Sequence, residues 1–191
     1  KSFVFLIWCK LRKRNNMLIV VIARNIKAVI PEKTGRAVCG NMSFIVYICS
    51  GTNRFTVRRL IDGVIDIPAR QVIGTDFTIV ASGQGEEMDM HYSYTEDDEL
   101  LMGDTLITKN VKMSKVAQME QELGQKPVLV FGNSTGDVPM AIYADTDNQY
   151  LTEVFFILCD DTEREYGNIS KAEKVAAICA EYGWQTISME N

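Results

Sequence analysis

The sequence predicts an α/β fold: a mostly parallel sheet with helices on both faces and a small β-hairpin insertion. Short apolar runs rich in β-branched and aromatic residues recur at 44–50, 127–134 and 152–161, as in strands buried on both faces. Stretches with helical spacing lie between them, at 54–64, 114–124 and 170–183. The chain has 191 residues, 47% of them hydrophobic and 24% charged, enough for one domain with a sizeable core.

The elements follow in order. FIVYICS (44–50) reads as a buried strand opening into the loop Ser50-Gly51-Thr52. RFTVRRLIDGV (54–64) repeats apolar residues at helical spacing until Ile67-Pro68 breaks it. QVIGTDFTIV (71–80) and MDMHYSYT (88–95) read as the two strands of a hairpin, an insertion at about 71–95, and EDDELLMGD (96–104) as an acidic loop. SKVAQMEQELG (114–124) is a helix with Ser114 as N-cap candidate and Gly124 as its stop. PVLVFGNS (127–134) is a second buried strand, VPMAIYA (138–144) starts a helix, and TEVFFILCDD (152–161) is a third strand. SKAEKVAAICAEYG (170–183) is an amphipathic helix closed by Gly183, and WQTISM (184–189) is a last short strand.

Composition excludes several classes. The longest apolar runs, VFLIW and MLIVVIA, fall far short of the roughly 18 residues that span a bilayer, so no membrane partner is expected. Five cysteines at 9, 39, 49, 159 and 179 form no CxxC pair. Reduced thiols and a cytoplasmic location are the simpler expectation. A single histidine, His91, leaves no room for a His-rich metal site. Net charge is unevenly spread. Residues 1–40 hold nine Lys or Arg and one acid, Glu32, a net +8, which leaves eleven basic and 24 acidic residues in 41–191, a net −13. The chain therefore divides into a basic, hydrophobic segment at 1–40 and a core domain at 41–191. The first segment is too apolar for a solvated nucleic-acid tail, and an edge strand or helix packed on the domain is the blander reading. A basic arm at residues 10–14 docking on nucleic acid or acidic membrane is kept as a minor alternative.

In alternating sheets, ligands sit at the C-terminal ends of the strands. Three loops lie there: Ser50-Gly51-Thr52, Gly132 to Asp137, and Cys159-Asp160-Asp161. Hydroxyls and free backbone N–H groups at a strand-to-helix turn suit phosphate oxygens, although the same residues serve as a plain helix cap. Gly132-Asn133-Ser134-Thr135-Gly136-Asp137 is a tight turn that brings Asp137 within reach of a divalent cation; a solvated Asx turn is the bland alternative. Lys112 precedes a helix and can reach a bound phosphate as a point charge, with Lys115 its competitor one turn later. Asp160 and Asp161 read as a polar strand end, and His91 as a hairpin strand residue.

Strand-Ser-Gly-Thr, then a lysine before a helix, then strand-Gly-Asn-Ser-x-Gly-Asp-x-x-Met is similar to motifs two, three and four of the haloacid-dehalogenase (HAD) superfamily. VYICSGTNRFTVRRL and KMSKVAQMEQELGQKPVLVFGNSTGDVPM resemble its phosphoserine-phosphatase-like branch most, over about residues 42–190. The resemblance implies a Rossmann-like core and Mg²⁺-dependent hydrolysis of a small phosphorylated metabolite through an aspartyl phosphate. By position, Ser50, Gly51 and Thr52 would bind the phosphoryl oxygens, Lys112 would neutralise nucleophile and phosphate, and Asp137 with Asn133 would hold Mg²⁺. Many members carry an acid where Asn133 stands.

One motif departs from the pattern. The first should read Asp-x-Asp-x-Thr after an apolar strand before Ser50, yet the first aspartate of the chain is Asp62. The expected nucleophile and acid/base are absent, and Asp137 alone should bind Mg²⁺ weakly. An upstream change of reading frame would produce such a hydrophobic, basic, aspartate-free front. Two readings follow: a phosphatase inactive or impaired in this form, or a non-catalytic relative that binds a phosphorylated ligand or a partner. Self-association is expected where a missing first strand would expose a sheet edge.

Overall fold

A computed structural model describes residues 19–24, 36–39, 42–164 and 166–190, with side chains from 44 onward. The basic cluster at 10–14 and Glu32 lie outside the described residues. Among the described residues eight strands form one mixed sheet: β1 (Ile19–Arg24), β2 (Arg36–Cys39), β3 (Met42–Asn53), β4 (Val72–Ala81), β5 (Leu100–Thr108), β6 (Leu129–Gly132), β7 (Glu153–Leu158) and β8 (Gln185–Ser188). Their order is β5-β4-β3-β1-β6-β7-β8, with β2 also on β3. The helices are α1 (Arg54–Ile61), α2 (Met113–Leu123), α3 (Val138–Asp145) and α4 (Ile169–Tyr182). The protein is a mixed α/β domain.

Strand β3 is the sheet's main rail. Ile48, Cys49 and Ser50 are all fully buried. Successive side chains point to opposite faces, so both faces of its end are covered. β4 runs parallel to its upper half (Ile48↔Val72, Cys49↔Ile73), and β2 pairs antiparallel with its lower half (Arg36↔Ile45, Cys39↔Met42). β6, β7 and β8 are mutually parallel. The expectation of a mostly parallel sheet is not met: among the described strands three ladders are parallel and four antiparallel. β1 lies between β3 and β6 and is antiparallel to both (Ile19↔Ile48, Arg24↔Ser43; Val20↔Val130). Part of the N-terminal segment thus supplies an interior strand rather than an edge.

The helices form where capping and spacing agree. Asn53 accepts hydrogen bonds from the backbone N–H groups of Phe55 and Thr56, opening α1, and its buried face carries Val57 and Ile61 at i, i+4. α1 approaches β4 so closely that a Cβ on Gly74 would stand 2.7 Å from Arg54 Cα. Arg54 fastens that contact with two hydrogen bonds to Asp76 and an ion pair to Glu122. α2 ends at left-handed Gly124 and α4 at left-handed Gly183, the stops that the sequence predicts. α2 begins at Met113, with Lys112 rather than Ser114 at the N-cap.

The hairpin differs from its expected form. Its second strand is β5, antiparallel to β4 (Ala81↔Leu100, Asp76↔Thr108), and residues 88–95 form turns and loop. The physical reason is Asp98. Its carboxylate accepts from the Gly83 and Thr95 amides, the Thr95 hydroxyl and the Tyr92 hydroxyl. That knot gathers residues 82–99 into a compact tip and starts the returning strand at Leu100. His91 lies in the tip and is exposed.

Two expected outcomes follow from these contacts. A Cβ on Gly132 would stand 2.4 Å from the fully buried ring of Phe156, so Gly132→Ala should cost about 1–3 kcal/mol by overpacking, read as a lower urea midpoint. The Thr95 amide, aided by the Gly83 amide and the Tyr92 and Thr95 hydroxyls, lowers Asp98 to about 2 against partial desolvation. The unfolded carboxyl titrates near 3.8, so Asp98's contribution is complete above that pH and is lost as pH falls toward about 2. Amide hydrogen exchange at Gly83 and Thr95 should rise over that window, and Asp98→Asn should abolish the pH dependence.

Candidate functional site

The ends of β3 and β6 come together around one buried ion pair. Lys115, in the first turn of α2, donates from Nζ to Asp137 Oδ1 at 2.7 Å and to the Cys49 carbonyl at 3.0 Å. Both side chains are almost wholly buried, at 6% and 3% exposure. Asp137 Oδ2 accepts from the Asn133 and Ser134 amides and the Ser134 hydroxyl, each at 3.0 Å. Asp137 therefore closes the turn after β6 while Lys115 ties that turn to the end of β3.

Gly132 serves this geometry by letting the strand end pass beneath Phe156. α3 follows Asp137 directly, with Pro139 in its first turn. Its Met140, Ala141 and Ala144 are fully buried.

On the β3 side, Ser50 is buried and its Oγ accepts from the Thr52 amide at 3.1 Å. Gly51 is half-buried and Thr52 exposed. Asn110, fully buried, donates from Nδ2 to the Ser50 carbonyl at 2.9 Å and from its backbone N to Thr75 Oγ1 at 3.1 Å. Thr75 in turn donates to the Gly51 carbonyl at 2.8 Å. These bonds fix both carbonyls of the Ser50-Gly51 unit away from the loop's mouth. Asn110 Oδ1 has no partner. Neither Asn110 nor Thr75 is singled out by sequence reasoning. Both are ordinary polar residues at element ends, and no spacing marks them.

The two lysines are separated by the fold. Lys115 stands in the site, whereas Lys112 is exposed, with φ 51 at the head of α2. Lys109 is a further cation nearby, its Nζ 3.4 Å from the Gly51 carbonyl. Asn133 is half-buried, and its amide is committed to Asp137. Asp160 and Asp161 have structural work. Asp160 accepts from the Met189 and Glu190 amides. Asp161 accepts from the backbone and side chain of Arg164, whose guanidinium also reaches the Met189 and Glu190 carbonyls. Those bonds hold the residues after β8. The Arg164 amide leads in keeping Asp161 below the ordinary carboxylate range. For Asp160, desolvation opposes the lowering, and hydrogen bonds from Ser188, Met189 and Glu190 outweigh it.

Cys49 is fully buried, and burial pushes its thiol up despite nearby Lys115; a protonated, enclosed thiol is a poor nucleophile. Mg²⁺ fits the donor set badly. Both Asp137 oxygens are engaged, one by a cation, and no group of three or more His, Cys, Asp or Glu side chains suited to a metal ion occurs among the described residues. A hard divalent cation wants further oxygen ligands of net negative charge. The exposed side chains at these loops instead include a hydroxyl at Thr52 and the lysines Lys109 and Lys112. Among the described residues no helix is long and apolar enough to cross a membrane.

Comparison of the chain with protein-family models finds no match, and comparison with curated proteins finds none either.

The ion pair makes a double-variant test. Lys115→Met leaves Asp137 buried without a counter-charge and should cost about 3–5 kcal/mol. Lys115→Met/Asp137→Asn keeps an acceptor for the Asn133 and Ser134 amides while removing the charge. In urea unfolding the double variant should recover most of that loss.

Proposed function

We propose that this chain is a phosphate-recognising domain of HAD-like, phosphoserine-phosphatase-like build. It holds the phosphoryl group of a small phosphomonoester at the ends of β3 and β6. The observation that carries the reading is the meeting of the Cys49 carbonyl, beside Ser50, with Lys115 and Asp137 at the ends of β3 and β6, in the chain order of the three motifs. Ser50 and Thr52 would donate hydroxyl hydrogen bonds to the phosphoryl oxygens, and Gly51 its amide. Lys115, rather than Lys112, would be the lysine beside the phosphoryl group, its charge already shared with Asp137, and the exposed Lys109 would add a positive edge. A phosphate dianion brought beside a neutral Lys115–Asp137 pair gains from these donors without displacing either partner.

In this reading the phosphatase relationship is one of build. A chain carrying an aspartyl nucleophile at this site would be a phosphoric monoester hydrolase; residues 1–61 hold no aspartate, which favours binding of the phosphomonoester over its turnover. Asp137's commitment to Lys115 supports metal-independent binding.

The test is calorimetric titration with inorganic phosphate and with phosphoserine, in parallel with a phosphate-release assay. Binding should occur equally with and without a chelator, and no phosphate should be released. Ser50→Ala should weaken binding about tenfold, the loss of one charge-assisted hydrogen bond, while leaving the urea midpoint within about 1 kcal/mol. Binding of neither ligand, or an affinity indifferent to Ser50→Ala, would remove the pocket. Release of phosphate would restore the enzyme reading.

A further inference from the structure

The hairpin tip gathers soft donor atoms. Met88, Met90 and His91 stand within four consecutive residues, Met-Asp-Met-His. His91 is the chain's one histidine. All three side chains are exposed, Met88 at 61% and Met90 at 80%. Methionine ordinarily fills irregular gaps in cores, and a pair this exposed fills none. Met102 differs: its sulfur accepts from Asn53 Nδ2 at 3.4 Å, which spends it on the link between β5 and the start of α1.

The backbone draws the three together. The Met88 carbonyl accepts from the His91 amide at 2.8 Å and the Tyr92 amide at 3.1 Å. Residues 88–92 thus make one helical turn, in which Met88 and His91, three apart, are neighbours, and Met90 adjoins His91. The Tyr92 hydroxyl anchors the turn on Asp98, whose bonds use none of the three donors. Residues 82–99 carry seven acids and no lysine or arginine, a field that attracts a cation. A hard cation finds no cage. Asp98 is spent on its knot, Asp89 accepts from Gln84 Nε2 at 2.6 Å, and no group of three His, Cys, Asp or Glu side chains among the described residues could hold a metal.

We propose that Met88, Met90 and His91 bind a soft monovalent cation, Cu(I), through two thioether sulfurs and one imidazole nitrogen. Thioethers select Cu(I) among the first-row metals, and imidazole suits copper as well. Each methionine has three rotatable bonds, which lets both sulfurs close on an ion held at the ring. All three ligands are neutral, so the surrounding acids balance the ion's charge from outside its coordination sphere. The site does not depend on phosphate binding at the ends of β3 and β6.

Proton–carbon NMR of the full chain tests it, with Ag⁺ titrated as a redox-inert stand-in for Cu(I) in chloride-free buffer. Thiols take the same ions, so accessible cysteines such as the half-exposed Cys159 are alkylated first. The one imidazole signal and two methionine methyl signals should shift together and saturate at one ion per chain. Met88→Leu and Met90→Leu should each weaken binding about tenfold or more, the scale on which metal sites lose affinity even for an outer-shell partner. His91→Ala should do the same, read at the methyls. These positions are exposed, so the Gly83 and Thr95 amide signals should stay in place and report an intact tip. Ca²⁺ and Zn²⁺ should move neither set of signals. A His91 ring that Ag⁺ leaves unmoved would overturn the proposal. So would an affinity indifferent to both leucine variants, or an equal response to Zn²⁺.

Discussion

The Lys115–Asp137 ion pair is the constraint on which the rest of the site depends. Both charges are out of water, where an isolated ion would cost several kcal/mol. Each is therefore tolerated only with its other bonds in place: the Cys49 carbonyl for Lys115, and the Asn133 and Ser134 groups for Asp137. Those bonds belong to three segments distant in the chain. The end of β3, the first turn of α2 and the turn after β6 must consequently dock in one relative position. The buried pair acts less as a source of stability than as a gauge of alignment, since an apolar pair of the same volume would tolerate sliding.

That alignment also limits the chemistry. Lys115 and Asp137 cancel, so the site has no net charge of its own and no carboxylate is released to attack or to bind a metal. Around them stand the exposed Thr52 and, at the rim, Lys109 against the Gly51 carbonyl. Asn110 and Thr75 hold the Ser50 and Gly51 carbonyls, which would repel an anion, in bonds on the protein side.

The local pattern made much of the fold readable in the sequence. FIVYICS, VLVF and EVFFIL are strands because they are apolar on both faces, and Gly124 and Gly183 stop helices because glycine adopts the left-handed conformation at no steric cost. The hairpin was misjudged because MDMHYSYT alternates like a strand. Its outcome was decided by Asp98, whose partners lie at positions 83, 92 and 95, a tertiary bonding pattern that no period reveals. Of the site, Ser50, Gly51 and Asp137 stand at strand ends where motif spacing puts them. Choosing Lys115 over Lys112 required the helix phase. With α2 starting at Met113, the two lysines lie three residues apart across the helix start, and only Lys115 is carried inward. Asn110 was invisible, because its importance rests on which carbonyls it meets.

Strand β1 separates what the sheet requires from what the site requires. The gap between β3 and β6 has to be filled, because each neighbour would otherwise leave a row of backbone N–H and C=O groups unpaired in the interior. Either strand direction satisfies that need, since antiparallel ladders bond at least as well as parallel ones. Direction matters only for chemistry. A strand parallel to β3 would deliver its C-terminal end, and the loop that follows, beside Ser50 and Asp137. β1 runs the other way: its start at Ile19 lies opposite Ile48, and its end at Arg24 lies opposite Ser43, at the far side of the sheet. The backbone therefore completes the sheet at its centre without bringing the end of the central strand to the site. The beginning of the central strand, rather than its end, therefore lies beside the ends of β3 and β6.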